Sequence, residues 1–68
     1  MSRSSVSSSN LRSVGYENGT LEVELHGGRV YQYYGVGYDR YADLMNASSK
    51  GSYLASHIKG HYRYRRIR

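Results

Sequence analysis

Two tyrosines near the middle of the chain have the residue type and spacing for binding flat ligands. Tyr31 and Tyr33 alternate within the run 30–34, and a tyrosine side chain joins a flat apolar ring to a polar tip. On an exposed strand face the two rings would stand side by side as a platform for nucleobases. The alternative is that both rings pack beneath the N-terminal or the C-terminal segment.

The end of the chain is strongly basic. Residues 48–68 contain six basic and no acidic side chains, whereas residues 1–47 contain four basic and five acidic ones, and the net charge is +5. Arginine suits planar, bidentate phosphate contacts, and interleaved tyrosines suit unstacked bases. The pattern favours nucleic acid as a partner; the alternatives are a solvated tail or arginines paired with acids of the sheet. The candidate residues are Lys59, Tyr62, Arg63, Tyr64, Arg65 and Arg66.

Two weaker sites precede this basic segment. Lys50 follows two serines at the start of a predicted helix, where free backbone N–H groups and a hydroxyl can hold an anion; the alternative is an ordinary helix cap. His57 and His61 have the spacing of helical metal ligands, but Gly60 interrupts the helix between them. We therefore expect no metal site.

The sequence contains no arrangement typical of an enzyme. Its five carboxylates form no pair suited to acid–base catalysis, no serine lies in a nucleophile elbow, and cysteine is absent. We expect neither catalysis nor a cofactor. Because the chain also lacks a long apolar run and a signal peptide, we expect a cytoplasmic protein without membrane contact.

The length of 68 residues predicts a single small domain. Residues 1–9 contain six serines and too little apolar surface to order themselves. We interpret them as a flexible leader, or as a flap held by contacts elsewhere. Residues 10–68 would form the domain.

A hairpin begins the predicted sheet. Asn18-Gly19 is typical of a type I′ turn, and the segment 20–26 alternates as a half-buried antiparallel strand does. The turn and the alternation favour the same register. The apolar residues of the first two strands then share one face: Val14, Tyr16, Leu21, Val23 and Leu25.

A second turn at Gly27-Gly28 decides where the central tyrosines point. A two-residue loop places Val30 opposite Leu25 and leaves Tyr31 and Tyr33 on the wetter face, beside two glutamates. The core face would then gain Val30, Gln32 and Tyr34. A three-residue loop with a bulge would reverse the faces and bury both rings. We expect the two-residue loop because it keeps Val30 inside.

Two short helices follow the sheet. Apolar spacing predicts the first over 38–46, and Ser48 or Ser49 can cap a second that reaches about Ile58 and ends at Gly60. Residues 61–68 form a fourth strand or an extended tail. The predicted fold class is α+β, a three-stranded antiparallel meander with two short helices on one face and a basic C-terminal strand or extended tail.

Several segments, taken in order, resemble the KTSC domain family. They are Ser8-Ser9-Asn10-Leu11, Val14-Gly15-Tyr16, the run 21–25, Val30-Tyr31-Gln32-Tyr33, Ser49-Lys50-Gly51-Ser52-Tyr53, and Ile58-Lys59 with Tyr62 and Arg66-Ile67. The resemblance implies a small domain that is also appended to some lysyl-tRNA synthetases and occurs alone in bacteria and phages. RNA binding has been suggested for this family. Gly37 stands where proline usually opens the first helix, and Ala55 stands where asparagine is frequent, so any hydrogen bond of that asparagine is lost.

These observations lead to two hypotheses. The first is a small non-enzymatic module that binds RNA or another single-stranded nucleic acid through its basic segment and exposed tyrosines. The second is a protein-interaction module, for example a phage protein that binds a host complex, because tyrosine and arginine are also enriched in interface hot spots. The predicted binding residues are Tyr31, Tyr33, Lys50, Lys59, Tyr62, Arg63, Tyr64, Arg65 and Arg66.

Overall fold

An antiparallel sheet of five strands packs against two helices. The computed structural model describes all residues, 1–68. The strands lie side by side in chain order: β1 (Ser4–Ser5), β2 (Leu11–Glu17), β3 (Thr20–Leu25), β4 (Val30–Tyr33) and β5 (Tyr64–Arg66). Helix α1 spans Tyr38–Asn46, and α2 spans Lys50–Tyr53 and continues as a π-helical turn over Leu54–Ile58. The α+β class is confirmed. Besides the three strands of the predicted meander, the sheet contains β5, in the segment predicted as a strand or an extended tail, and β1, which was not predicted.

Neither helix is long and apolar enough to cross a lipid bilayer.

The β2–β3 hairpin has the predicted turn and register. Asn18 and Gly19 both have positive φ, 50° and 81°, as a type I′ turn requires. The strand pairs are Tyr16 with Leu21 and Val14 with Val23. These side chains form the face that the helices cover.

The β3–β4 turn is one residue longer than predicted. Its residues 26–28 lie between Leu25 and Arg29, and the Leu25 N–H donates to the Arg29 carbonyl at 2.8 Å. Tyr31 therefore pairs with Val23, and Tyr33 pairs with Leu21. The two-residue loop was wrong because Gly27 and Gly28, with φ of 104° and 95°, also permit the longer turn.

The longer turn exchanges the two faces of β4. Tyr33 is buried with 4% of its surface exposed, and Tyr31 is half-buried on the helix-covered face. Gln32 points to the opposite face, where its amide finds polar partners; the predicted register would have buried that amide in the core at a cost in free energy. Val30 also lies on the opposite face, yet it is buried with 1% exposed.

The helices close the core over this face. Leu44 of α1 and Leu54 and Ile58 of the second helix are buried among the apolar side chains of β2, β3 and β4. Ser49 caps the second helix as predicted, since its Oγ accepts from the Ser52 N–H at 3.3 Å. In the π-helical turn the Lys59 N–H bonds to the Leu54 carbonyl, five residues back.

A group of tyrosines holds α1 against the sheet. The rings of Tyr16 and Tyr41 stack with centroids 4.8 Å apart, and Tyr38 meets Tyr16 edge-on at 6.0 Å. The Tyr16 hydroxyl donates to the Val36 carbonyl at 2.6 Å. These tyrosines therefore have a packing role.

The serine-rich leader contributes an edge strand. Ser4 and Ser5 pair with β2, and the Arg3 side chain reaches over the polar face of the sheet. Gly15 permits this approach, because a Cβ there would lie 2.5 Å from the Ser2 carbonyl oxygen. The contacts correspond to the held flap that the sequence left open as an alternative.

A hydrogen-bonded network covers the polar face around Glu22. This carboxylate is 4% exposed as a residue and binds the Arg3 guanidinium. It also accepts from the Gln32 amide at 2.7 Å, and the Gln32 oxygen accepts from the Tyr34 hydroxyl at 3.0 Å. The buried charge is thus fully paired, as burial demands.

Glu24 joins both ends of the chain to the same network. Its carboxylate accepts from the Ser13 hydroxyl at 2.8 Å and from the Arg68 guanidinium at 3.3 Å. Arg3 also lies 3.9 Å from it. The acids of β3 are therefore paired with Arg3 and with Arg68, the last arginine of the basic segment, whereas the other arginines of that segment form no ion pair.

The network makes stability depend on acid pH. Burial raises the pKa of Glu22, but hydrogen bonds from Gln32 and Arg3 outweigh it and hold the pKa below its usual value. The hydrogen bond from Ser13 lowers the pKa of Glu24, and nearby arginine charges add to this effect. The lowered pKa values of both glutamates stabilise the fold at any pH above the ordinary glutamate pKa of 4.5. This stabilisation is lost as the pH falls through the pKa values of the two groups in the folded state.

We expect the urea midpoint to fall as pH decreases from about 6 to about 3, through the range in which glutamates protonate. Glu22→Gln should be less stable than wild type at neutral pH and should show a flatter pH dependence. Glu17→Gln is the matched control because Glu17 is exposed and unpaired. Equal pH profiles for wild type and Glu22→Gln would contradict this account.

The β4 register predicts different costs for two adjacent truncations. Tyr33→Ala removes a buried ring and should destabilise the fold by about 3–5 kcal/mol, as buried aromatic truncations do. Tyr34→Ala removes a half-buried ring and one hydrogen bond, and should cost clearly less. Chemical denaturation followed by circular dichroism measures both, and the reverse ranking would indicate the two-residue loop.

Candidate functional site

A cleft of about 510 Å³ opens between β3–β5 and the end of the second helix. Apolar side chains of Val23, Leu25 and Leu54 line it together with a cluster of tyrosines. We call this cavity the aromatic lobe; its tyrosines are Tyr31, Tyr33 and Tyr64. A cavity of this size and composition suits one flat, largely apolar group.

The three rings differ in their access to solvent. Tyr33 is buried, Tyr31 is half-buried, and Tyr64 is 62% exposed. The Tyr64 ring centroid lies 6.1 Å from that of Tyr31 and 5.8 Å from that of Tyr33, with tilted planes. Tyr33 therefore anchors the cluster in the core, while Tyr31 and Tyr64 offer ring surface to a ligand.

A second cavity of about 330 Å³ adjoins the first and shares four lining residues with it. The polar side chains in its lining are Ser9, Asn10 and His26, beside Gly51 and Ala55. We call this cavity the polar lobe. The shared residues are Leu25, Arg29, Leu54 and Lys59, so the two lobes adjoin along these four residues, and we refer to both lobes together as the cleft.

Two basic side chains lie where the lobes meet. Arg29 and Lys59 line both cavities and are exposed. Neither forms an ion pair or a side-chain hydrogen bond within the chain, whose three ion pairs involve only Arg3 and Arg68 with the β3 acids. No aspartate or glutamate lines either lobe. The centre of the cleft therefore offers unneutralised positive charge.

Unusual backbone geometry positions both cations. Arg29 follows the three-residue turn of two positive-φ glycines, and Lys59 ends the π-helical turn at its five-residue hydrogen bond. Because π-helical turns are rare and are frequently found at functional sites, the placement of Lys59 supports a role for this cleft.

The structure brings together four of the nine predicted binding residues, namely Tyr31, Tyr33, Lys59 and Tyr64. Arg66 pairs with Tyr31 across β4–β5 and lies on the cleft side of the sheet, whereas Arg65 pairs with Gln32 on the polar face. Arg63 lies just before β5 and is exposed.

The remaining two predicted residues lie apart from the cleft. The Lys50 ammonium donates to the Ala47 carbonyl at 3.3 Å, and Lys50 lines neither lobe. Tyr62 is half-buried and packs against the core. Sequence reasoning missed Arg29, since a single arginine after two glycines looks like any solvated turn residue.

A family profile for the KTSC domain matches residues 7–62, which is most of the chain. The chain belongs to the KTSC domain family. A protein of Stutzerimonas stutzeri (strain A1501), described as uncharacterized, is 41% identical over 70 residues, covering 98% of this chain and 99% of its own length. The crystal structure of a KTSC domain protein from Yersinia pestis has a TM-score of 0.92 and 38% identity, covering 98% of this chain and 97% of that one.

Most of the cleft lies inside the segment that matches the KTSC profile. Arg29, Tyr31, Tyr33 and Lys59 fall within residues 7–62, whereas β5, with Tyr64 and Arg66, follows it. Gly37, where the resemblance implied a proline, precedes α1 in an extended conformation with φ −72°, and the helix begins at the next residue. Ala55, where the resemblance implied an asparagine, is exposed in the polar lobe.

The buried tyrosine of the cluster can be recognised by titration. Burial raises the pKa of Tyr33, and the neighbouring phenols Tyr31 and Tyr64 add to that effect. The raised pKa of Tyr33 stabilises the fold at any pH below the ordinary tyrosine pKa of 10.0. That stabilisation is lost as the pH rises through the pKa of Tyr33 in the folded state.

We expect one phenol to ionise after the others in an ultraviolet titration of the folded protein. Tyr33→Phe should remove this late step because it deletes only the buried hydroxyl. Tyr34→Phe is the matched control and should leave the step in place. A late step that survives in Tyr33→Phe and disappears in the control would contradict the assignment.

Proposed function

We propose that the protein is a non-enzymatic module that binds RNA or another single-stranded nucleic acid across the cleft and the adjoining strand β5. The observation that carries the proposal is the meeting of accessible tyrosine rings and unpaired cations in one cavity free of carboxylates. Rings that stack on bases and cations that bind phosphates are the two components of single-strand recognition.

The distribution of charge supports a polyanionic partner. Glu22 and Glu24, which would repel phosphate, lie on the opposite face of the sheet and are paired with Arg3 and Arg68. The C-terminal segment adds Arg63 and Arg66, which are exposed and outside the ion pairs, and Arg65, which is also exposed and unpaired but lies on the polar face. The positive charge of the domain is therefore available to phosphates, while its buried acids are not exposed to them.

The stacking contribution comes from Tyr31 and Tyr64. Both rings are accessible and close to the central cations, and stacking of a base on an aromatic side chain contributes roughly 1–3 kcal/mol. Tyr33, with 4% exposed, supports the cluster from beneath. Binding rather than catalysis is favoured because neither lobe contains a carboxylate and the His26 ring is engaged with the Ser8 carbonyl at 3.0 Å.

One observation favours a protein partner as the second candidate. Strand β5 is an edge of the sheet; Tyr64, its first residue, is 62% exposed, and Ile67, which follows it, is 45% exposed. An open edge can accept an extended strand from another chain. The three arginines of this segment make that edge unsuited to a second copy of the same chain, so the partner would be acidic.

Fluorescence anisotropy with a labelled single-stranded RNA of about 12 nucleotides tests the first candidate. Affinity should fall as salt rises from about 50 to about 300 mM, with a slope of about 0.7 per phosphate contact on logarithmic axes. Arg63→Gln/Arg66→Gln should weaken binding and reduce the slope by about 1.4, the value for two lost contacts.

The control is Arg12→Gln/Lys50→Gln, which removes the same charge from residues that line neither lobe. It should change the affinity much less than the first double variant does. No binding at low salt, or equal losses in both double variants, would overturn specific binding at this surface and leave the protein-interaction candidate.

A further inference from the structure

The two lobes of the cleft differ in size and in the chemistry of their linings. This difference indicates which part of a single-stranded nucleic acid each lobe would bind. One lobe is aromatic and about 510 Å³, and the other is polar and about 330 Å³. Both lie in the size range of small-ligand pockets, about 300–1,000 Å³. Arg29 and Lys59 line both lobes. An anion bound where the two lobes meet can therefore contact both of these cations.

We propose that the cleft binds one dinucleotide step of single-stranded RNA. The base of one nucleotide occupies the aromatic lobe against Tyr31 and Tyr64, the bridging phosphodiester lies at Arg29 and Lys59, and the ribose of the neighbouring nucleotide enters the polar lobe. This inference rests on the proposed function and adds its unit of recognition.

The phosphate position follows from charge. Arg29 and Lys59 are the only charged side chains in the lining of the two cavities, and they belong to both linings. Neither is neutralised by the chain itself. A single phosphodiester between two cations satisfies both of them, and hydrogen bonds that involve charged groups are the stronger ones.

The neighbouring ribose follows from the chemistry of the polar lobe. Ser9 and Asn10 supply a hydroxyl and an amide, and His26 supplies its Nδ1 atom, since its Nε2 atom contacts the Ser8 carbonyl; together these groups can donate and accept hydrogen bonds. The 2′-hydroxyl of RNA is both a donor and an acceptor, and it is the group by which proteins distinguish RNA from DNA. The lobe has fewer apolar residues than the aromatic lobe and does not suit a second stacked base.

Nuclear magnetic resonance titrations of the full chain test this inference with three probes of equal charge. They are the ribodinucleotide ApA, its deoxy analogue d(ApA), and adenosine 5′-methylphosphate, which keeps a base and a phosphodiester but lacks the neighbouring nucleoside. We expect ApA to bind about tenfold more tightly than the methylphosphate and several-fold more tightly than d(ApA), because only ApA fills both lobes with a 2′-hydroxyl present.

Substitutions of the cleft residues test which side chain binds which part of the dinucleotide. Arg29→Gln and Lys59→Gln should each weaken ApA binding by about fivefold or more, as loss of a charged phosphate contact predicts. Tyr64→Ala should weaken it by about tenfold through lost stacking. Arg12→Gln is the matched control, since Arg12 is exposed at the irregular start of β2 and lines neither lobe; it should change the affinity less than about twofold.

The outcomes separate this inference from the broader function. If the longer RNA binds with the expected salt dependence, but ApA binds no better than the methylphosphate or is unaffected by Arg29→Gln and Lys59→Gln, the dinucleotide inference is overturned and nucleic-acid binding stands. If the longer RNA does not bind at low salt, both are overturned. A preference for ApA that disappears in the two cleft variants supports the inference.

Discussion

The turn between β3 and β4 determines which side chains of the central run face the helices. Side chains alternate between the two faces of a strand, so a shift of one residue moves the whole set to the other face. The three-residue turn, held by the Leu25–Arg29 hydrogen bond, places Tyr31 and Tyr33 on the helix-covered face. It also aligns β5 so that Tyr64 pairs with Tyr33 and Arg66 with Tyr31. The aromatic lobe exists because of this register.

The same register separates opposite charges. Glu22, Glu24 and Gln32 lie together on the polar face, where Arg3 comes from the N-terminal segment and Arg68 from the C-terminus. The buried polar residues Ser13 and Glu22 both belong to this network, and no buried side-chain nitrogen or oxygen of the chain lacks a hydrogen-bond partner. The network therefore uses two arginines for structure and leaves the cations of the cleft unpaired. A chain with a net charge of +5 becomes a domain with a cation-bearing cleft on one side and neutralised acids on the other.

Much of the fold could be predicted from local signals. Asn18-Gly19, the alternation in β3, the cap at Ser49 and the apolar spacing of α1 each have one clear structural meaning. The β4 register could not be predicted, because Gly27-Gly28 permits turns of two lengths and the choice depends on packing against the helices. Strand β1 has no apolar pattern and depends on distant contacts of Arg3. The charge of Lys59 identified it as a binding residue, but the π-helical turn that places it between the two lobes keeps the ordinary apolar spacing of Leu54 and Ile58 and gives no sequence signal. Arg29 was not predicted.

The most direct test of the account is a map of chemical-shift changes when an unlabelled single-stranded RNA is added to the isotope-labelled protein. Recognition by the cleft predicts changes concentrated on Arg29, Tyr31, Lys59 and Tyr64, with the Glu22–Gln32 network unchanged. Changes centred on the polar face, or spread evenly over all basic residues, would contradict the claim that the β4 register creates the binding surface.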